Sequence, residues 1–213
     1  MLLSDLEFAS YLTYSPRGTD ENALKSQARM YDLKNERSFG NPQLPMSEFI
    51  TKKIKDEINR LPFKDFFGPE VSLVPVPKSS LIQPGSLWVP ERIVNALSKL
   101  GLGKPCICLE RVKPIPKAAT SKPENRPTPM DHYNSMQVKS VLDPSEIVLI
   151  DDIVTSGAAL LGSASLLRKA FPNVPIKGFA VMRTMSGSSV FKEIVDPCIG
   201  KIIFRGNGTT RLP

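Results

Sequence analysis

Residues 147–159 read IVLIDDIVTSGAA: four apolar residues, two adjacent aspartates, two more apolar residues, then a hydroxyl-bearing turn that runs through glycine into two alanines. The run 146–150 (EIVLI) has the composition of a strand buried on both faces, as in parallel sheets covered by helices on either side. In open α/β sheets, ligands bind outside the carboxyl ends of the strands. Asp151 and Asp152 are thereby expected to face a ligand crevice, where carboxylates accept hydrogen bonds from sugar hydroxyls. Beyond them, Thr155, Ser156, Gly157, Ala158 and Ala159 offer hydroxyls, a glycine that lets backbone approach a ligand, and the unpaired N–H groups of a helix N-terminus. Such a turn cradles phosphate. A hydroxylated sugar carrying a phosphate fits the segment from both ends.

On either side, strand and helix patterns alternate. Downstream, 158–171 predicts a helix with Leu160, Leu161, Ala164, Leu167 and Phe171 inward, followed by strands at 176–182 (IKGFAVM) and 200–204 (GKIIF). Upstream, 71–76 (VSLVPV) and 105–109 (PCICL) read as short strands. Between them Pro90 opens a helix whose Ile93, Val94, Leu97 and Leu100 share a face and which ends at Gly101. Another amphipathic helix starts at Ser47 as N-cap, carries Ile50, Ile54, Ile58 and Leu61, and stops at Pro62. The first 45 residues, broken by Pro16, Gly18, Gly40, Pro42 and Pro45, read as an irregular arm with one short helix at 21–33. The expected fold is α/β, a doubly wound and mostly parallel sheet, with an N-terminal arm or hood (1–70) and an α/β core (71–213) whose tail forms a second hood.

The chain has 213 residues, of which 41% are hydrophobic and 23% charged. That is enough apolar material for one good-sized core and too little charge for disorder. Lys plus Arg number 28 against 21 Asp plus Glu, and the net charge of +7 favours anionic partners: nucleic acid, acidic membrane or phosphate-rich small molecules. Apolar stretches fall short of the roughly 20 residues that span a bilayer, so no membrane association is expected. Cys106, Cys108 and Cys198 are too few for a disulfide framework and no leader pattern opens the chain, which makes a cytoplasmic setting the expectation. Cys106 and Cys108, two apart on a strand, read as small core residues. His132 is the one histidine, which excludes a multi-histidine metal site. Neither a P-loop nor a dinucleotide fingerprint is present. Pro114, Pro116, Pro123, Pro127 and Pro129 alternate with Lys113, Lys117, Lys122 and Arg126, a composition that supports neither helix nor central strand and reads as a long basic loop.

The order of residues across 147–159 resembles the phosphoribosyl pyrophosphate (PRPP) signature of type I phosphoribosyltransferases. In that family the paired acids bind the ribose 2′ and 3′ hydroxyls and the turn binds the 5′-phosphate. The resemblance passes these roles to Asp151 and Asp152, and to Thr155, Ser156, Gly157, Ala158 and Ala159. The sequence departs from the pattern at Ala159, where the family usually has threonine. A hydroxyl contact to phosphate is thereby missing, a loss of roughly 1.5–3 kcal/mol for a bond to a charged group. By the same resemblance, 74–80 (VPVPKSS) stands in the place of the family's pyrophosphate loop, with Lys78 and Ser79 on the ligand. Pro77 makes a cis peptide cheap enough to turn an N–H toward the ligand, and Lys78 neutralises diphosphate charge. The V-P-V-P wording and 179–184 (FAVMRT) are similar to the competence-associated, ComF-like branch of the family.

Family members close a mobile basic loop over PRPP between their second and third core strands, the interval that 111–136 occupies. Lys117, Lys122 and Arg126 are the candidates to reach the leaving diphosphate. His132 follows the loop as a candidate general acid or base, its unperturbed pKa of about 6.5 suiting either role. The resemblance implies Mg²⁺-dependent transfer of 5-phosphoribosyl from PRPP to a nitrogen nucleophile (a nucleobase, ammonia or an amine), with release of pyrophosphate. Mg²⁺ would be held mainly by the substrate rather than by a protein cluster, and a homodimer is among the partners to expect. Two other readings stay open: a PRPP- or nucleotide-sensing module without turnover, and a nucleic-acid-associated protein with 113–126 as a basic arm.

Overall fold

Ile147, Val148, Leu149 and Ile150 are each 0% exposed, as a strand covered on both faces requires. The computed structural model describes residues 2–118, 121–139, 144–185 and 193–213. Residues 119 and 120 of the basic loop and 186–192 of the tail lie outside them. In chain order the elements are β1 (Asp5–Tyr14), α1 (Glu21–Lys34), β2 (Ser38–Phe39), β3 (Leu44–Pro45), α2 (Met46–Glu57), β4 (Ser72–Pro75), α3 (Val89–Lys99), β5 (Lys104–Pro105), β6 (Leu109–Arg111), α4 (Pro129–Asn134), β7 (Met136–Val138), β8 (Ile147–Val154), α5 (Ala158–Ala170), β9 (Ile176–Thr184), β10 (Val195–Arg205) and β11 (Gly208–Leu212).

Seven strands form the main sheet in the order β11-β10-β1-β9-β8-β4-β5. The strands from β1 to β5 in that order run parallel to one another, while β10 is antiparallel to both β1 and β11. Alternate residues of β4 and β8 feed opposite faces. Leu73, Val148 and Ile150 share a core with Leu33 of α1, Ile50 and Ile54 of α2, and Ile93, Val94 and Leu97 of α3. Val74, Ile147 and Leu149 share the other with Leu160, Leu161, Ala164 and Leu167 of α5. Each such aliphatic side chain contributes about 1.5–3 kcal/mol by leaving water. The fold is the α/β, doubly wound and mostly parallel sheet expected from the sequence, and among the described residues no helix is long and apolar enough to cross a membrane.

Several elements differ from expectation. Residues 5–14 are not irregular: β1 lies inside the sheet, parallel to β9 on one edge and antiparallel to β10 on the other, so the sheet draws on both sides of residue 70. Ser47 is not an N-cap but a buried residue of α2, whose hydroxyl donates to Glu36 Oε2 at 2.7 Å. The expected strand at 105–109 divides between β5, which joins the main sheet, and β6, which pairs with β7 in a separate ribbon. The cause lies in β4. Val76 N–H bonds to Ile150 of β8 at 2.9 Å, so Pro75 and Pro77 present their missing N–H toward β5, where pairing stops at Leu73 and Pro105. The chain beyond β5 is thus free to leave the sheet.

Candidate functional site

The crossover from β4 through α3 leads to β5 on one side, whereas that from β8 through α5 leads to β9 on the other. The two connections diverge between β4 and β8, the switch point at which open α/β sheets bind ligands. The ladder between these strands covers Ser72 to Pro75 and Ile147 to Ile150, after which β8 continues alone along that edge. Two N–H groups beyond the ladder turn to carboxylates: Asp152 N–H donates to Asp151 Oδ1 (2.9 Å) and Ile153 N–H to Asp152 Oδ1 (2.7 Å). The acids therefore sit within β8, in the open notch, rather than after it.

The two carboxyls are in different electrostatic states. Burial and the adjacent Asp152 push the Asp151 carboxyl up to about 8, although Lys34 and the Asp152 N–H oppose the rise. Asp152 Oδ2 instead accepts from Lys34 Nζ at 2.6 Å. Burial lowers the Lys34 ammonium, but the charge and hydrogen bond of Asp152, with Asp151 behind it, outweigh that and hold it above its ordinary value. Near neutrality the notch thus carries a proton on Asp151 and a closed ion pair at Asp152. Lys34, the last residue of α1, was not among the expected site residues; a lysine ending an exposed helix turn has no signal beyond ordinary helix-dipole compensation.

Thr155 and Ser156 are exposed, and Gly157 caps α5 with φ +89°. No side chain caps this helix, so its first-turn N–H groups are left for an external acceptor. Ala158 and Ala159 are partly exposed beside them. Gly157 is required twice over: its φ is left-handed, and a Cβ there would lie 2.6 Å from Ile202 Cδ1 of β10. Gly157→Ala is expected to destabilise the protein by about 2 kcal/mol, from left-handed strain and crowding together. Urea unfolding checks this; a loss below about 0.5 kcal/mol would show the turn to be free to relax.

On the β4 side, Lys78 Nζ donates to Leu87 O at 2.9 Å, within its own loop. Ser79 O accepts from Ile115 N–H at 2.9 Å, which fastens the basic segment beside the notch. The Val76–Pro77 bond is not cis as expected; among the described residues the cis bond is Asn41–Pro42. Beneath the loop lies Arg111, 3% exposed. Its guanidinium donates to Lys78 O (2.8 Å), Pro77 O (3.3 Å), Ser135 Oγ and His132 Nδ1 (3.3 Å). Burial brings Arg111 down to about 10, which leaves it a cation at neutral pH. It places a positive charge directly under residues 77 and 78 with carbonyls, not carboxylates, as acceptors on that side. Sequence reading passed over it because an arginine that ends a strand carries no mark of burial.

His132 departs from its expected role. Burial and Arg111 bring its imidazole down to about 3, against a small opposing effect of Asp131, so it stays unprotonated near neutrality and does not suit general acid–base exchange. Its place is structural: a Cβ on Gly162 of α5 would lie 2.7 Å from His132 Cβ, which shows how closely α4 packs there. Lys117, Lys122 and Arg126 are exposed. Asp151 and Asp152 thus follow Ile150, whose carbonyl accepts from Val76 N–H just ahead of Lys78 and Ser79; the turn 155–159 follows the same strand, Lys34 is paired with Asp152, and Arg111 lies under Lys78.

No family model matches the chain, and no curated protein matches it. Among solved structures, a hypoxanthine phosphoribosyltransferase of Trypanosoma cruzi is similar to it at 16% identity and a TM-score of 0.31, over 77% of this chain and 71% of that one. Two HPRT structures, the glutamine and alanine mutants of an invariant aspartic acid, are similar at 14% identity with TM-scores of 0.30 and 0.29, over 75% of this chain and 92% of theirs.

Proposed function

We propose that the protein binds PRPP in the notch between β4 and β8 and transfers 5-phosphoribosyl to a nitrogen nucleophile, releasing pyrophosphate. The observation that carries this reading is that an acid pair and a loop backed by a buried cation both follow the β4–β8 ladder, with an uncapped left-handed turn opening α5 directly after the acids. Asp151 and Asp152 accept from the ribose hydroxyls, the turn 155–159 donates to the 5′-phosphate, and Lys78, with Arg111 behind it, faces the diphosphate. Among the described residues no three metal-ligating side chains gather. The adjacent carboxylates nonetheless suit Mg²⁺, which keeps several waters and takes one or two carboxylates plus substrate phosphates. Asp151 and Asp152 would hold it with the diphosphate, where it neutralises charge on the leaving group. The V-P-V-P loop aligns this reading with the ComF-like branch.

The test is turnover: Mg²⁺-PRPP with a panel of nucleobases, ammonia and amines, measuring pyrophosphate release. A second reading, a PRPP-binding regulator without turnover, is favoured by the closed Lys34–Asp152 pair and by the missing hydroxyl at Ala159. PRPP binding without pyrophosphate release would select it.

The basic segment offers a further check. Lys113, Lys122 and Arg126 each precede proline and resist trypsin, so cleavage in the free protein is expected after Lys117. If the segment closes over the diphosphate, Mg²⁺-PRPP protects that bond and ribose 5-phosphate does not. Equal protection by both ligands, or by neither, removes the segment from the site.

A further inference from the structure

We propose that Arg211, carried by the β10–β11 hairpin, is the phosphate-binding cation of the turn 155–159 and stands in for the hydroxyl missing at Ala159. The proposal rests on the reading of that turn as a phosphate site. The hairpin register places Arg211 opposite Ile202. Directly opposed residues of an antiparallel pair project to the same face, and Ile202 is the residue against which Gly157 closes. One hairpin thereby supplies both the floor of the turn and a guanidinium at its side.

Arg211 donates from Nε to Thr155 O at 2.8 Å, from Nη2 to Thr184 O and from Nη1 to Pro213 O. A guanidinium has five N–H donors in a fixed fork. Three bonds, to the backbone oxygens of residues 155, 184 and 213, leave two donors. Among the described residues no Asp or Glu side chain forms an ion pair with it. The nearby Arg183 is paired with Asp196 at 2.5 Å, and it is Arg211 that bonds to the turn itself. Burial and then Arg183 bring Arg211 down to about 10, against a small opposing effect of Cys198, and it remains a cation at neutral pH. A partly buried cation next to free helix N–H groups fits a phosphomonoester dianion, and charge-assisted bonds of this kind are about twice as strong as neutral ones.

Calorimetry with ribose 5-phosphate and, separately, Mg²⁺-pyrophosphate tests this on the full chain, using wild type, Arg211→Gln and Arg211→Lys at two salt concentrations. Arg211→Gln is expected to lower ribose 5-phosphate affinity roughly 10- to 100-fold and to flatten its salt dependence, with Mg²⁺-pyrophosphate binding unchanged. Arg211→Lys, which keeps the charge, is expected to recover most of the loss. If wild type binds ribose 5-phosphate and Arg211→Gln binds it equally well, or if Arg211→Lys is as weak as Arg211→Gln, the inference fails while the site reading stands. If wild type binds neither ligand, the site reading fails and the inference with it.

Discussion

Replacing Asp151 and Asp152 together by asparagine is expected to lower PRPP affinity by on the order of 10²–10⁴-fold, since each hydrogen bond from a sugar hydroxyl to a charged acceptor contributes roughly 1.5–3 kcal/mol. The fold should survive. Asparagine keeps the carboxylate's shape, and its Oδ1 still accepts from the N–H groups of residues 152 and 153 that the acids now satisfy. Lys34 loses its partner, but its side chain is 46% exposed and can be hydrated. Calorimetry with Mg²⁺-PRPP, alongside circular dichroism, reads both halves. Unchanged affinity in a folded double variant would remove the acids from the site.

The second large effect is on stability. Asp151→Asn alone is expected to stabilise the protein, increasingly so as pH rises from about 4 to about 8. In the unfolded chain the carboxyl ionises near 4; in the folded protein it holds its proton up to about 8. Between those values the native state binds a proton that the unfolded state lacks, so wild-type stability falls with rising pH, and the loss is complete above the folded value. Asparagine has no such linkage. The separation bounds the effect at on the order of 5 kcal/mol, and partial exposure to water reduces it, so roughly 5–10 °C in Tm between acid and alkaline pH is the expected gain. Calorimetric scans at pH 4.5 and 9 measure it; an equal Tm difference at both would mean that Asp151 ionises normally. The same proton bears on binding. An arriving Mg²⁺-diphosphate favours ionised Asp151, so wild-type affinity should climb as pH approaches 8.

What the sequence revealed and what it concealed follow from the range of the interactions. The turn 155–159 could be read because glycine, hydroxyls and small residues act within one segment, and the all-apolar run of β8 announces its own burial. The same holds for α3, whose Pro90 and Gly101 mark both ends. β1 could not be read in this way. It mixes Phe8, Tyr11 and Leu12 with Ser10 and Thr13, and those buried hydroxyls find their partners, Arg183 and Cys198 for Ser10 and Glu193 O for Thr13, only in the assembled sheet. Lys34 and Arg211 reach the site from 118 and 56 positions away in the chain. Arg111 and His132 lie nearer in sequence, yet their burial depends on α4 packing against α5. A local pattern reports the backbone that presents chemistry; it cannot report which distant cations arrive.

The position of β1 also governs how the chain is made. As translation proceeds, residues 5–14 leave the ribosome well before either neighbouring strand exists, since β1 pairs with residues 178–184 and 195–203. Ser10 meets Cys198 across a separation of 188 residues. Contacts of such range form slowly, and an unpaired strand rich in aromatic residues is sticky while it waits. The nascent protein is therefore expected to depend on holding chaperones until synthesis is nearly complete, and truncation before residue 195 should yield insoluble product rather than a smaller folded protein.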